Sequence, residues 1–369
     1  MSSSLLLPPG VLLSEFPPGD VLSEQERGPV ANPAKRPTIR DVAAVAGVSK
    51  SLVSLVYSDP EKVSEARKGR VLAAAEELGF RPNLLARSLA TNMSDFIGIL
   101  VADPVNPFFA EIIDAASLEF DRAGRRGLMT TAVLPKSGTV RRLNEGTIAT
   151  LSDLRPRSVL IAGSLPDVTS LGSLAEDRPV VVASGLAEGL PNAGSVRTDD
   201  RKGLALLVEH LTGLGHSDIA HLGGVTAVGR SRAEAYEEAM TTHGLARHVH
   251  VQDSDFTELG GYVAATSLLS RGTPPTAIIA ANDLAALGVQ RALDERGLTP
   301  EDVALTGYDN SFLASIAGVS LTSVDPHNGV IGREAARWLI EAEAGNDSLP
   351  HELLIEPRLV VRRSSGSGI

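Results

Sequence analysis

Twice along this chain, short apolar runs alternate with amphipathic stretches, and that rhythm leaves few folds open. From Phe96, FIGILVA reads as a buried strand and FFAEIIDAASLEFDRAG as an amphipathic helix closed by Gly124. GLMTTAVL, SVLIAG and PVVVAS follow as further apolar strands, with helical or polar segments between them. The pattern restarts after Ser195, where KGLALLVEHLTGLGH, RAEAYEEAMTTHG, GYVAATSLLSRG and DLAALGVQRALDERG read as helices. Between them lie the strands DIAHLGG, HVHVQ, TAIIAA and DVALTGYD. Parallel strands need long crossover connections, and helices supply them while covering both faces of the sheet. The expected body is a pair of doubly wound parallel-sheet α/β subdomains.

Ahead of this body stands a different pattern. Residues 38–57, TIRDVAAVAGVSKSLVSLVY, read as two short helices joined by a tight turn. Thr38 can cap the first, with Asp41 three residues on in a near capping box. Val42, Ala43, Val45 and Ala46 give that helix a small apolar face, and Gly47 admits a positive φ. Ser49 is a second cap, and Val53 with Val56 turn the next helix back onto the first. Helix, glycine turn, helix is the arrangement whose second helix enters the DNA major groove. A third helix, VSEARKGRVLAAAEELG, starts beyond Ser64 and stops at Gly79. After Arg81-Pro82 comes a short segment, residues 83–90.

The net charge of −11 looks wrong for a DNA binder until it is divided. Residues 33–92 carry ten Lys/Arg against six Asp/Glu, and the remainder 24 against 39. A basic head on an acidic body presents one end to phosphate and keeps the rest away from it.

Taken together in this order, TIRDVAAVAGVS, VSEARKGRVLAAAEELGFRPN, ARSLAT, NPFFAEI, LGH, PTAIIAANDLAALGVQRAL, GYDN and LTSVDP make the chain resemble the lactose/galactose repressor (LacI/GalR) family of bacterial transcription regulators. The resemblance covers residues 37–364. It implies a helix-turn-helix DNA-binding head over 37–81, a hinge helix or linker over 82–94, and a periplasmic-binding-protein-like body over 95–364. The first subdomain would span about 95–195 with a return segment near 325–340. The second would span about 196–322 with the C-terminal segment. Residues 1–36 are rich in Pro, Ser and Leu without period, and read either as a disordered extension or as sequence upstream of the true start.

The resemblance also assigns roles. Lys50, Ser51 and Leu55 occupy recognition-helix positions that reach base edges, and Thr38, Ser49 and Ser54 occupy phosphate-bonding positions. The family usually has Arg where this chain has Leu55. Arg grips guanine bidentately, whereas Leu offers an apolar contact such as one to a thymine methyl. Ala86 and Leu89 match minor-groove positions of a hinge that folds when two copies meet on DNA, Leu89 as the wedge in the central base step. Phe108, Phe109, Arg232, Phe256, Asn282 and Asp309 match effector-contact positions. Aromatic faces beside Asp, Asn and Arg suit a sugar, whose C–H faces stack while its hydroxyls donate to carboxylate and accept from Arg and Asn. Other readings stand beside these: Phe109 as core, Phe108 as a subunit contact, Asp283 as a helix cap, Arg232 as a surface ion pair.

No catalytic residue, cofactor or metal is expected. Cysteine is absent, and no Gly-x-Ser-x-Gly elbow, P-loop, His-Glu-x-x-His or Rossmann glycine fingerprint occurs. His216 and His221 straddle a helix-to-strand boundary and read as structural. No apolar run is long enough to span a membrane. MSSSLLLPPGVLLSEFPPGD lacks a positive n-region, so it reads poorly as a signal peptide. The expectation is a cytoplasmic, homodimeric repressor that binds a duplex operator and responds to a small carbohydrate-like effector. The rival is a solute-binding protein for transport, which the body alone would fit and the DNA head does not.

Overall fold

Caps and a glycine cut the head into its helices. In the computed structural model, which describes residues 37–81, 94, 96–131, 133–134, 142–165, 171–224, 226–345 and 349–366, α1 (Ile39–Ala46) starts after Thr38. The Thr38 N–H and hydroxyl both donate to the Asp41 carboxylate at 2.7 Å. Gly47 takes φ 62° and ends the helix, with the Val48 N–H donating to Ala43 O at 3.0 Å. The Ser49 hydroxyl then accepts from the Leu52 N–H at 3.2 Å and starts α2 (Lys50–Ser58). A short 3₁₀ turn leads to α3 (Glu65–Glu77). Val42, Val53, Val56, Val71 and Ala74 close on one another as the core of the head. Val45, expected on the apolar face, instead points outward and is 49% exposed. The N-terminal extension and the hinge positions Ala86 and Leu89 lie outside the described residues.

The chain divides into two compact units, Met1–Asn83 and Leu84–Ile369. The second unit has two lobes. The first begins with β1 (Phe96–Val101), α4 (Phe108–Arg122) and β2 (Arg126–Thr131). A small antiparallel pair, β3 (Val133–Leu134) and β4 (Arg142–Leu143), leads to α5 (Glu145–Asp153), β5 (Val159–Ala162), α6 (Gly172–Ala175), β6 (Val180–Ala183) and β7 (Ala193–Thr198). The second lobe runs α7 (Asp200–Gly213), β8 (Ile219–Gly224), α8 (Ala227–Thr242), β9 (His250–Ser254), α9 (Glu258–Leu269) and β10 (Ala277–Ala280). It continues through α10 (Asp283–Asp294), β11 (Ala304–Tyr308) and β12 (Thr322–Asp325). Then α11 (Asn328–Glu343) and β13 (Glu352–Ile355) return to the first lobe, and β14 (Arg358–Val360) goes back to the second.

The first sheet has the order β13-β7-β6-β5-β1-β2 and is parallel throughout. The second has the order β14-β12-β11-β10-β8-β9, parallel except for the β12–β14 pair. Apolar clusters lie on both faces of each sheet, which explains why the central strands read as continuous Val/Ile/Leu/Ala runs. The strand read as GLMTTAVL departs from that rule. Its first part forms β2 at the sheet edge, where Met129 is 60% exposed.

Three crossings join the lobes, after β7, after β12 and between β13 and β14, and they are bonded to one another. The Asp199 N–H donates to Ile355 O at 2.9 Å, Thr198 Oγ1 donates to Pro326 O at 3.2 Å, and the Arg358 guanidinium donates to Asp325 at 2.8 Å. Three adjacent crossing segments thus connect the lobes, an arrangement of the kind that hinge motions between lobes use.

Candidate functional site

In an open parallel sheet the carboxyl ends of the strands present loops and helix N-termini to the surroundings, and ligands bind there. The second lobe gathers four of the expected site residues at those ends. Asn282 follows β10, and its Oδ1 accepts the Ala285 N–H at 2.8 Å, so Asn282 is the N-cap of α10. That bond fixes the orientation of the amide. Nδ2 is left buried without a hydrogen-bond partner, although the amide lies near enough to Asp309 to favour its carboxylate form. Asp283, which could have been the cap, does different work. Its carboxylate accepts from Ser311 N at 2.7 Å, Ser311 Oγ at 2.9 Å and Ser323 Oγ at 2.6 Å, tying α10 to the ends of β11 and β12. Burial pushes its pKa up to about 6 against those bonds.

Asp309 follows β11 with φ 116°, a conformation L-residues rarely adopt. Strain of that kind costs about 1–3 kcal/mol and collects at functional sites. The residue is 5% exposed. Burial drives its pKa well above the usual carboxylate range, the Asp283 carboxylate adds to the rise, and Arg232 opposes it.

Arg232, on α8, is a buried ion-pair member rather than a surface one. Its Nε donates to Asp200 at 2.9 Å, and both side chains are 7% exposed. Nη1 donates to Ala281 O at 3.0 Å, the guanidinium lies 3.7 Å above the Tyr308 ring, and Phe256 is 5.8 Å away on another side. The two hydrogen bonds and the Tyr308 ring therefore hold the guanidinium in place. Asp200 and Tyr308 were not expected in this group. The acidic pair Asp199-Asp200 directly after β7 and the Tyr308 side chain preceding Asp309 were the available signals.

In the first lobe, Asn106 Oδ1 accepts the Phe108 N–H at 3.0 Å and starts α4. Phe108 is 5% exposed and belongs to the core of that lobe. Phe109 stands edge-on to it at 5.0 Å and is half-buried at the ends of β1 and β5. Its ring occupies the space beside Gly163, where a Cβ would come within 2.6 Å of it. His221 is a core residue as expected. Its Nδ1 faces Ile279 O at 3.2 Å, and burial lowers its pKa to about 4.

In the head, Lys50, Ser51 and Ser54 project from α2 and are exposed, while Leu55 is half-buried against the core of the head. Thr38 and Ser49 are exposed, with their hydroxyls engaged at the caps described above.

Residues 38–83 match the family described as bacterial regulatory proteins, lacI family, and residues 208–365 match the periplasmic binding protein-like domain. The HTH-type transcriptional regulator CelR of Thermobifida fusca is 31% identical over 351 residues, 89% of this chain and 98% of its own length. The chain belongs to the LacI family. Its architecture agrees, since a lac repressor dimer bound to operator and an anti-inducer superposes with a TM-score of 0.75 at 26% identity, covering 90% of this chain and 99% of the other. A CelR–cellobiose complex superposes with a TM-score of 0.64 at 30% identity, covering 89% and 100%. A LacI-family head joined to a periplasmic-binding-protein-like body makes this a DNA-binding transcription regulator, as the motif order implied. No described helix is long and apolar enough to cross a membrane.

The LacI-family body also has a cavity of about 440 Å³ away from these residues, between β2 and α5. Leu128, Thr130, Thr147, Thr150 and Leu154 wall it. No charged residue lines it, and its one amide, Asn144, is engaged as the cap of α5, accepting from the Thr147 N–H at 3.2 Å.

Proposed function

We propose that this LacI-family chain is a cytoplasmic repressor that binds a pseudo-palindromic duplex operator as a homodimer. A small polar effector, a sugar or sugar derivative, occupies the cleft between its lobes, and the chain catalyses no reaction. One observation carries the reading. The same chain joins a LacI-family head to a body whose strand ends collect Arg232, Asn282 and Asp309 around buried, incompletely bonded polar atoms. The cellobiose bound by the related CelR supports a carbohydrate. Lobe rotation about the three-stranded hinge couples effector to operator, provided the effector binds the two states with different affinity. Phe109, Phe256, Arg232, Asn282 and Asp309 contact the effector, and Phe108 supports Phe109 from the core. Lys50, Ser51 and Leu55 face bases. Thr38, Ser49 and Ser54 face phosphates, and Ala86 with Leu89 enter the minor groove.

The purified full chain is expected to retard its own upstream DNA at low salt. The logarithm of affinity should fall linearly with that of salt, because Lys and Arg release condensed counterions. No shift at low salt, with and without candidate sugars, would overturn the reading in favour of a solute-binding protein. Leu55→Arg is expected to add a guanine-reading fork worth about 1–3 kcal/mol of discrimination. Selected-site sequencing reads the change in half-site, and identical preferred sites would take position 55 off the bases.

A dimer needs an apolar face. Leu259 and Val263, one turn apart on α9, are 62% and 57% exposed, and Phe312 in the turn after β11 is 63% exposed. Leu259→Glu with Val263→Glu is expected to give a monomer by sedimentation and to weaken operator binding, while the melting temperature of the chain stays close to that of the parent. An unchanged dimer would place the interface elsewhere.

A further inference from the structure

Residues 82–93 lead from the head to Ser94, and the body grips the chain there before its first sheet begins. Ser94 is 3% exposed although its side chain is polar. Its N–H and its hydroxyl both donate to Arg155 O, at 3.2 Å and 2.5 Å, and its carbonyl accepts from Arg157 Nε at 3.2 Å. Arg155 and Arg157 belong to the short loop that joins α5 to β5. Backbone bonding between that loop and β1 starts further on, with the Arg157 N–H donating to Phe96 O at 3.0 Å. The loop is itself held. Pro156 is buried, and its carbonyl accepts from Arg178 Nη1 at 3.3 Å, just ahead of β6. Arg155 keeps φ 49°, a left-handed conformation that glycine usually supplies after a helix, and such backbone persists where its surroundings fix it. Ser94 thus sits in a socket of fixed backbone closed by the Arg157 side chain. A serine adds almost no apolar surface to the core, so the socket does little for the packing of the lobe. What it fixes is the point where the chain leaves for the head.

We propose that this clip is a specificity determinant for the operator, with Ser94 and Arg157 as positioning residues that set the half-site spacing the dimer accepts. The proposal rests on the reading of the chain as a dimer on a pseudo-palindrome. Each head then reaches its half-site from a fixed point on its own body. The two fixed points decide which spacings both heads can meet at once. With the clip intact, the first fixed residue is Ser94. Without it, that role passes to Phe96, where β1 begins. Two more residues of chain add up to about 7 Å of reach on each side, roughly two base-pair steps along the duplex. Reach of that size matters, because bivalent binding is lost when a linker cannot span its sites and returns when it can. The Ser94 carbonyl is a neutral acceptor, so the clip needs a donor at the Nε position of Arg157 and not its charge.

Matched substitutions in the full chain test this. Arg157→Gln places an amide N–H at the same distance along the side chain as Nε, and Arg157→Met places a methyl group there. Both remove the charge. Ser94→Ala removes the hydroxyl and leaves Arg157 in place. The parent first selects paired half-sites from a random duplex pool. The operator so defined is then remade with its half-sites one and two base pairs closer or further apart. The parent is expected to lose about tenfold in affinity for a one-base-pair change, because its heads no longer meet both half-sites. Arg157→Met should reduce that penalty to about threefold or less as the added reach recovers the shifted site, and Ser94→Ala should move the same way. Arg157→Gln should keep the parent's spacing. All four chains should bind duplex of unrelated sequence equally at low salt, since the heads are untouched. A residue that merely held the lobe together would weaken every operator alike and leave the ratio between spacings unmoved. The clip is overturned if Arg157→Met keeps the parent's penalty, or if Arg157→Gln loosens as far as Arg157→Met. Should Arg157→Met melt far below the parent, Ser94→Ala decides alone. A parent that tolerates every spacing also overturns the clip, while one that selects no paired half-sites overturns the dimeric reading beneath it and the clip with it.

Discussion

Gly288→Ala is expected to destabilise the body by about 3 kcal/mol or more, at the upper end of what overpacking costs. A Cβ at Gly288 would sit 1.9 Å from Glu258 O and 2.6 Å from Tyr262 N, both backbone atoms of α9 that cannot turn aside. The contact is reciprocal, since a Cβ at Gly261 on α9 would lie 2.0 Å from Ala285 O on α10. Two helices cross here backbone on backbone, and adding one methyl group forces them apart. The effect reaches the site. Asn282 caps the N-terminus of α10, and Phe256 lies just before α9, so the separation displaces both walls of the second lobe's pocket. Gly213→Ala is the control, because it lies in the last turn of α7 with open space around its Cβ position. It should be neutral or mildly stabilising, as alanine is the better helix residue by about 0.5–1 kcal/mol. Chemical denaturation of the two variants decides, and equal midpoints would mean that α9 and α10 are not in backbone contact.

Neither glycine stood out in the sequence, and the reason is general. Helix and strand periods report which residues face a core, so the central strands and most helices of both lobes were legible from FIGILVA, TAIIAA and DLAALGVQRAL. They do not report how closely two helices approach. The same limit hid β13 and β14. ELLI and RLV are short, and only their partners, β7 and β12, more than 30 residues distant in the chain, make them strands. The hinge is built from these non-local pairings, and local pattern cannot show it. At the site, sequence order placed Asn282 and Asp309 at strand ends because residues directly after an apolar run fall there. It could not show that Asn282 rather than Asp283 caps α10, since both residue types cap helices. The Asp200–Arg232 pair joins α7 to α8, so Arg232 looked like a residue that solvent could equally well satisfy. Phe108 and Phe109 are adjacent in sequence. Only the packing of α4 sends the first into the core and leaves the second at the rim.

Asp309→Asn is expected to raise the melting temperature of the ligand-free chain while it lowers effector affinity, and the two effects have one cause. The native carboxyl titrates well above its ordinary value because burial and the neighbouring Asp283 carboxylate disfavour its charge, with Arg232 only partly offsetting them. The folded chain thus holds this proton more tightly than the unfolded chain. Below the unfolded value, about 4, both states are protonated and the group contributes nothing to the pH dependence. As pH rises from there through the raised folded value, the unfolded state loses its proton first and folding becomes less favourable. Asparagine has the same shape and no proton to lose. The stability gained by Asp309→Asn should therefore be small near pH 4, grow through neutrality and then level off. Asp283, raised to about 6 by burial, adds a similar slope between its ordinary value and pH 6 that the substitution leaves largely in place. Against this, the effector loses an ionisable acceptor. A bound donor favours the carboxylate form, and replacing that charge-assisted bond by one to the neutral asparagine oxygen typically costs about 1–3 kcal/mol, or roughly tenfold or more in affinity. Melting curves across pH and calorimetry with a sugar that binds the parent chain, cellobiose tried first, read the two effects separately. A variant that melts lower than its parent at pH 8 would show that Asp309 is held by a bond the ligand-free site needs. In that case the strain at φ 116° serves folding rather than recognition.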